Sequence, residues 1–242
     1  MTRYLCHDEP LLFDFDAQAL ACRADAILMS RSAFHPGGGG QLHDRGIISW
    51  GGGAQRVVGI DQQSDGLAWH YLDGSACETG TAVRGSVDRA FRSLMSQLHT
   101  DLHILNALVF QRFDGALVTG AQIAADGTAR HDFDLPEVDN AKLKALEADV
   151  NDVIAQGLEV RTYYVTVEQV MAEPGLIRSK SVAPPPTPDG KIRIVEIVGL
   201  DRQACGGTHV ANTRESRPIR LVKVDNKGRH NRRVYIALEP AH

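Results

Sequence analysis

The sequence predicts an α+β fold in which a small N-terminal β-barrel domain (residues 1–89) precedes an α/β domain (residues 90–242) with helices on an antiparallel sheet. Two observations indicate it: short apolar runs between glycine turns over the first ninety residues, and three- and four-residue apolar spacing after them. With 242 residues, 43% of them hydrophobic, the chain can bury a core in each domain.

The first ninety residues alternate short apolar runs with turns. The runs occupy residues 26–29, 46–50, 56–60, 67–72 and 81–87. Glycine-rich segments, such as residues 51–53, separate them. Many short strands punctuated by glycine are typical of a small β-barrel or a sandwich, with little helix.

The pattern changes after Asp88. Leu94, Leu98, Leu102 and Leu105 recur at helical spacing, which predicts an amphipathic helix over residues 89–112. A second helix is predicted from an N-cap at Asp139 to residue 157. Strand-like segments follow at residues 160–167, 192–198, 219–224 and 234–238, which together indicate an α+β arrangement.

Residues 181–190 contain three successive prolines. Such a run favours an extended and stiff conformation. We interpret the segment as a surface loop inside the second domain rather than as a domain boundary. No internal repeat is visible in the chain.

Composition places the chain in the cytoplasm. No run approaches the roughly 20 apolar residues of a membrane span, and the N-terminus lacks the apolar core of a secretory signal. The four cysteines show no paired spacing that would indicate a disulfide framework. Reduced thiols fit a cytoplasmic protein.

Charge is unevenly distributed. The net charge of −4 argues against a protein that grips nucleic acid over its whole surface. The C-terminal end is nevertheless basic and could meet phosphates; a solvated strand face is the alternative. Its cationic residues are Arg214, Arg217, Arg220, Lys223, Lys227, Arg229, Arg232 and Arg233.

Two short motifs carry the strongest chemical information. His99 and His103 lie four residues apart, so a helix places both imidazoles on one side. Cys205 and His209 have the same spacing around two glycines. Together the four side chains suit zinc by type and number, whereas unrelated core or surface histidines are the alternative. Position 100 is Thr, so the general-base Glu of zinc proteases is absent.

A glycine run provides a third candidate site. Phe34-His-Pro-Gly-Gly-Gly-Gly-Gln41 is followed by Asp44 and Gly46. The amides of Gly38, Gly39 and Gly40 could cradle an anion or a carbonyl oxygen, although the absence of a following Gly-Lys-Ser/Thr argues against a nucleotide P-loop. A flexible turn is the alternative. Five histidines fit no ligand spacing and are interpreted as ordinary: His7, His43, His70, His131 and His230.

These three motifs together resemble the editing domains of alanyl-tRNA synthetases and their free-standing relatives, the AlaX proteins. The glycine run with Asp44-Arg-Gly46 resembles Phe-Tyr-Pro-x-Gly-Gly-Gly-Gln-x-x-Asp-x-Gly. His99-Thr-x-x-His103-Ile-Leu105 is similar to His-Thr-x-x-His-Leu-Leu. Cys205-Gly-Gly-Thr-His-Val210, with Asn212-Thr213, resembles an element shared with threonyl-tRNA synthetases. The motifs stand in family order and cover most of the chain.

The resemblance implies a hydrolase that deacylates mischarged aminoacyl-tRNA, most often seryl-tRNA(Ala), and glycyl-tRNA(Ala) as a second substrate. Its partner would be the tRNA acceptor end, with no role for membrane or DNA, and its metal would be Zn²⁺ held by His99, His103, Cys205 and His209. Gln41 would bind the substrate or its water, and the amides of residues 38–40 would stabilise an oxyanion. Ser32 stands where the family usually has a Thr that senses the serine hydroxyl; a satisfied strand hydroxyl is the alternative.

Departures from the family leave the amino-acid preference open. His35 replaces the usual Tyr, Gly37 occupies a position that is often acidic, and Asp101, Leu102 and Asn106 differ from the form common in full synthetases.

Four protein ligands also make a closed, structural zinc site, whereas catalytic zinc keeps one position open. Whether Cys205 is a ligand therefore separates a hydrolase from a tRNA-binding module with structural zinc. A hydrolase of small esters is a further alternative.

Overall fold

A computed structural model describes residues 3–62, 68–136, 138–180, 187 and 189–240. The protein is a mixed α/β protein with antiparallel sheets and a closed six-stranded barrel, which confirms the predicted α+β class at this level. The chain forms two compact units. The first comprises residues 1–38 and 42–93, and the second comprises residues 39–41 and 94–242.

The first unit contains the barrel. Its elements are β1 (Arg3–Tyr4), α1 (Leu5–Asp8), β2 (Asp14–Arg23), β3 (Ala26–Met29), β4 (Arg31–Ser32), β5 (Gly46–Trp50), β6 (Gly53–Gln62), β7 (Ala68–Leu72) and β8 (Ala82–Val87). The barrel closes in the order β2-β3-β7-β6-β5-β8, and every neighbouring pair is antiparallel. Outside it, β1 pairs in parallel with β4.

Alternating side chains fill the barrel. Phe15, Ile27, Met29 and Ile48 are buried, and the rings of Phe15 and Phe34 meet edge to face with centroids 5.8 Å apart. Inward-facing apolar residues on strands of period two produce such a core. The predicted runs over residues 26–29 and 46–50 coincide with β3 and β5.

The second unit contains two antiparallel sheets. The helix α2 (Arg89–Arg112) has the predicted bounds. After it follow β9 (Val118–Ile123), β10 (Thr128–Asp134), α3 (Asn140–Lys144), α4 (Leu146–Gln156), β11 (Val160–Thr166), α5 (Val167–Ala172), β12 (Lys191–Ile197), β13 (Asp201–Ala204), β14 (Ile219–Lys227) and β15 (Asn231–Leu238). One sheet has the order β14-β15-β10-β9 and the other β11-β12-β13.

The second predicted helix is two helices. Asp139 caps α3 as expected, because its side chain accepts the Ala141 N–H, but Ala145 separates α3 from α4. Ala145 keeps right-handed helical angles, so the break spans one residue. The apolar positions Leu143, Leu146 and Val150 stay buried across it. Gly157 ends α4 in the left-handed conformation.

Side chains of α4 form hydrogen bonds with backbone groups of the edge strand β14. Asn151 accepts the Ile219 N–H at 2.8 Å and donates to the Ile219 carbonyl at 2.9 Å. Glu147 accepts the Leu221 N–H at 2.6 Å. An edge strand whose backbone groups are covered in this way is protected from pairing with another chain.

Three further predictions concern the proline-rich loop, membrane spans and disulfides. The proline-rich loop lies mostly outside the described residues, since residues 181–186 and 188 are not among them. Among the helices of the described ranges, none combines the length and the apolar character that a membrane crossing requires. All four cysteines are described, and no disulfide joins them.

Candidate metal centre

The structure brings His99, His103, Cys205 and His209 together. The two histidines of α2 lie one turn apart, and the segment after β13 supplies Cys205 and His209. One potential ligand atom from each residue lies within 4.8 Å of those of the other three. Three of the side chains are buried and His209 is half-buried, so the described residues contain a buried His/Cys group that could hold a metal ion.

Two distances inside this group match those between ligand atoms of a zinc tetrahedron. Cys205 Sγ lies 3.5 Å from His99 Nε2 and 3.4 Å from His209 Nε2. Zn–S and Zn–N bonds of about 2.3 and 2.1 Å at tetrahedral angles separate sulfur from nitrogen by about 3.6 Å. The imidazole rings also converge, with centroids 4.5 to 5.3 Å apart. The donor set therefore fits zinc in both type and spacing.

Gln41 orients His99. Its Oε1 lies 2.8 Å from His99 Nδ1 and also accepts the Thr208 N–H at 3.0 Å. Because Oε1 can only accept, Nδ1 must carry the proton, which leaves the lone pair of Nε2 facing Cys205. Gln41 Nε2 donates to Thr208 Oγ1 at 2.9 Å, and Ser96 donates to the same oxygen. Such outer partners fix the tautomer and ring direction of metal-binding histidines.

Thr100 orients His209. Its hydroxyl donates to the Ser96 carbonyl at 2.9 Å, so its oxygen is an acceptor for His209 Nδ1 at 3.2 Å and for the Val210 N–H at 3.3 Å. The Nδ1 proton of His209 therefore points to Thr100, and Nε2 is left to face Cys205.

His103 is neutral near pH 7. Burial lowers its pKa to about 4, and the positive charges of Arg193 and Arg178 add to the effect. A neutral imidazole is the form that binds a metal. Burial raises the pKa of the Cys205 thiol, which favours its protonated form. The Gly207 N–H and the Arg193 charge oppose that shift.

Arg193 and Gly207 shape the loop that carries Cys205. The buried guanidinium of Arg193, on β12, donates from Nη1 to the carbonyls of Cys205 and Gly207, both at 2.9 Å. A Cβ on Gly207 would lie 2.1 Å from His99 Cε1 and 2.8 Å from Gln41 Oε1. Only glycine permits the loop to approach the His99 ring so closely.

The glycine run divides between the two units. Gly38 groups with the first unit, whereas residues 39–41 group with the second. Gly38, Gly39 and Gly40 all have positive φ, and a Cβ on Gly40 would lie 2.8 Å from the Ala121 backbone. The Gly40 carbonyl accepts the Ile123 N–H at 2.8 Å. This contact with the end of β9 brings Gln41 to the His/Cys group.

Ser32 lies in the first unit and is fully buried. Its Oγ accepts the Phe34 N–H at 3.2 Å and lies 2.9 Å from Nε2 of His70. Burial lowers the pKa of His70 to about 4. His70, interpreted from sequence as ordinary, is thus the side-chain partner of Ser32, and the sensing role of Ser32 stays a prediction.

The basic C-terminal end is partly internal. Arg232 is buried and donates to the Val138 carbonyl at 3.4 Å, and Arg233 binds Asp132 through two hydrogen bonds of 2.6 and 2.7 Å. Both arginines therefore have partners within the fold, and the contact of the basic end with phosphates stays a prediction. Five cationic side chains of this end are exposed: Arg214, Arg220, Lys223, Lys227 and Arg229.

Sequence reasoning missed the residues that orient the ligands. Ser96 and Arg193 have no recognisable spacing, because each acts through a contact made only in the fold, and Thr208 was quoted only as part of the Cys205–His209 motif. Thr100 was noted in the sequence, but only because a Thr at this position excludes the general-base Glu of zinc proteases. Its place between His99 and His103 on the same helix was the one sequence signal for an orienting role.

Comparison with known proteins gives a consistent result. Residues 192–235 match the family described as threonyl and alanyl tRNA synthetase second additional domain. The alanyl-tRNA editing protein AlaX-M of Saccharolobus solfataricus is 33% identical over 99% of this chain and 100% of that protein. AlaX-M of Methanosarcina barkeri is 35% identical over 88% of each chain. An alanine–tRNA ligase of Korarchaeum cryptofilum is 32% identical over 91% of this chain but only 24% of the ligase.

Proposed function

Because this chain belongs to the family of alanyl-tRNA editing proteins, we propose that it is a trans-editing hydrolase that deacylates mischarged aminoacyl-tRNA. Its proposed substrates are seryl-tRNA(Ala) first and glycyl-tRNA(Ala) second. The observation that carries the proposal is the buried His/Cys group, in which Gln41 and Thr100 orient His99 and His209. Binding alone separates small amino acids poorly, so a separate hydrolytic site is the physical means of removing a wrong product.

The proposed reaction is hydrolysis of one ester. A water oxygen attacks the carbonyl carbon of the aminoacyl ester, the bond to the ribose oxygen breaks, and the products are the free amino acid and tRNA. His99, His103, Cys205 and His209 would hold zinc, which when bound polarises a carbonyl or lowers the pKa of a water. Gln41 and Thr100 keep the Nε2 lone pairs of His99 and His209 directed at the shared position.

We propose that Gln41 acts on the reaction through His99 rather than by contact with the substrate. Its Oε1 already accepts two hydrogen bonds and its Nε2 donates to Thr208, and only 4% of its surface is exposed. The amides of Gly38, Gly39 and Gly40 remain the proposed donors to the oxyanion. Ser32 remains the proposed sensor of the serine hydroxyl.

The proposed partner is the acceptor end of tRNA. Phosphates are contacted by exposed cations, which position a nucleic acid without reading its sequence. Among the basic residues of the C-terminal end, Lys227 and Arg229 are exposed at the turn between β14 and β15. We propose this turn as a contact to the tRNA backbone.

A second candidate function rests on the ligand number. Four protein side chains converge, and a site with four protein ligands is closed and structural. In that case the protein would bind tRNA without hydrolysing it. Turnover of mischarged tRNA separates the two candidates.

The deciding experiment is a deacylation panel of seryl-, glycyl-, alanyl- and threonyl-tRNA(Ala). We expect hydrolysis of seryl-tRNA(Ala), weaker hydrolysis of glycyl-tRNA(Ala) and sparing of alanyl-tRNA(Ala). His103→Ala should abolish activity, whereas Gln156→Ala, a change of an exposed side chain on α4, should not. Binding of every tRNA without hydrolysis of any would favour the second candidate, and hydrolysis of matching small esters alone would indicate an esterase.

A further inference from the structure

A second group of metal-binding side chains lies in the first unit. Cys6 and His7, on α1, meet His35, which follows β4. One potential ligand atom from each lies within 4.8 Å of those of the other two, the same proximity that defines the His99 group. The rings of His7 and His35 are tilted by 51° with centroids 6.1 Å apart. None of the three has a ligand spacing in the sequence, since 28 residues separate His7 from His35.

The backbone holds this group in place from two directions. The parallel pairing of β1 with β4 sets Tyr4 beside Ser32, which carries α1 to the segment that ends at His35. The Cys6 thiol points at the Phe34 carbonyl, with Sγ 3.9 Å from the oxygen. The group is therefore built by tertiary pairing and not by a chance approach of mobile side chains.

A buried ion pair fixes the backbone of His35. Asp44 accepts the His35 N–H at 2.6 Å and donates its own N–H to the His35 carbonyl at 2.9 Å. Arg92 binds the Asp44 carboxylate and donates to the Ala33 carbonyl at 2.7 Å. These hydrogen bonds fix the backbone that carries the His35 side chain.

The burial of the group suits a metal site. Cys6 and His35 are 0% and 2% exposed, whereas His7 is half-buried. His7, on a helix of four residues, is the most exposed of the three side chains.

We propose that Cys6, His7 and His35 bind a second divalent metal ion of the late first row, zinc foremost. One thiolate and two imidazoles are the donors that zinc prefers, and three protein ligands leave a fourth position for water or another ligand. The ion would join α1 to the start of the glycine run. This site is independent of the proposed deacylase activity and of the His99 group.

Metal content tests the proposal directly. After zinc loading and desalting, mass spectrometry of the metal should give two equivalents per wild-type chain. His103→Ala and Cys6→Ser should each retain one, and the double variant none. One equivalent in the wild type, or two in Cys6→Ser, would overturn the proposal.

Cobalt spectroscopy identifies the ligand. In a Cys22→Ser, Cys77→Ser, Cys205→Ser background, Cys6 is the only thiol, so sulfur-to-cobalt charge-transfer absorption must come from it. We expect this absorption with one equivalent of Co²⁺, its loss with Cys6→Ser, and at least a tenfold weaker affinity with His7→Ala. His7→Ala changes a half-buried side chain and provides the test if Cys6→Ser fails to fold. A folded background protein without the absorption, or an unchanged affinity in His7→Ala, would contradict the site.

The substitution His35→Tyr provides a specific comparison. Tyrosine is usual at this position in the resembled family, and a phenol does not replace an imidazole as a zinc ligand. We expect the variant to fold and to lose the second equivalent while keeping the first. Two equivalents in His35→Tyr would show that His35 is not a ligand.

Discussion

Gln41 and His99 are 58 residues apart in the chain, and their side chains meet at 2.8 Å, with Nδ1 of His99 donating to Oε1 of Gln41. This hydrogen bond selects the tautomer of His99 and directs its Nε2 to the position shared with Cys205. Gln41, the last residue of the glycine run, thus orients the His99 ring. The run, which in sequence is a candidate cradle for an anion, places an orienting residue beside His99, a potential metal ligand.

The first prediction follows from that contact. Gln41→Ala removes the acceptor that holds His99, so the zinc affinity should fall by about 10- to 100-fold while the fold is retained. Competition with a chromophoric chelator measures it. Gln156→Ala, a change of an exposed glutamine on α4, is the matched control and should leave the affinity unchanged. Equal affinities for the two variants would remove Gln41 from the metal site.

The second prediction concerns the loop between Cys205 and His209. Gly207→Ala puts a Cβ 2.1 Å from the His99 ring, so either the ring or the loop must move. We expect at least a tenfold loss of zinc affinity and a matching loss of deacylation. Gly175→Ala, where a Cβ meets nothing within 4 Å, should behave as the wild type. Wild-type zinc binding by Gly207→Ala would show that the close approach is not required.

The third prediction is a pH dependence of stability in the metal-free protein. Burial lowers the pKa of His70 to about 4 and that of His131 to about 3, below the unfolded value of about 6.5. Between these values the unfolded chain binds protons that the folded chain does not. The contribution of these two pKa shifts to the free energy of unfolding is therefore fully present above pH 6.5. It is lost as the pH falls, by about 1.4 kcal/mol per pH unit for each histidine.

Urea unfolding at pH 7.5, 6 and 5 measures this slope. His70→Gln should lose stability less steeply than the wild type, because one titrating group is gone. Asp101, whose pKa burial raises, works in the opposite direction but is present in both proteins, so the difference between them isolates His70. Parallel slopes would contradict the assignment of His70 as a buried, neutral side chain.

The fourth prediction tests the basic turn between β14 and β15. Lys227→Glu with Arg229→Glu should weaken tRNA binding and reduce its dependence on log salt concentration by about 0.7 to 0.9 per lost phosphate contact. Arg161→Glu with Lys191→Glu makes the same charge change at exposed positions of the other sheet. If both pairs weaken binding equally, the turn has no specific role and the net charge explains the effect.

Local patterns in the sequence predicted part of the fold. The bounds of α2 and of β3 and β5 follow from apolar spacing, which depends only on near neighbours. The strands β9, β10 and β13 were missed because they carry Thr, Gly, Gln, Asp and Arg between few large apolar residues. Pairing with neighbouring strands, rather than their own apolar pattern, makes them strands.

The candidate site was predicted to a similar extent. The four potential ligands could be named because histidine and cysteine at fixed spacing are rare and chemically specific. The grouping of residues 39–41 with the second unit, and the internal use of Arg232 and Arg233, depend on contacts between distant parts of the chain. His7 and His35 were passed over for the same reason, since no sequence spacing joins them.

The most direct test of the proposed deacylase is the rate of seryl-tRNA(Ala) hydrolysis by the purified protein, measured before metal removal, after it, and after zinc is restored. We predict rapid hydrolysis, its loss on chelation, and recovery on addition of zinc in the wild type but not in His103→Ala. Hydrolysis that continues at full rate in the metal-free protein and in His103→Ala would contradict a reaction centred on His99, His103, Cys205 and His209.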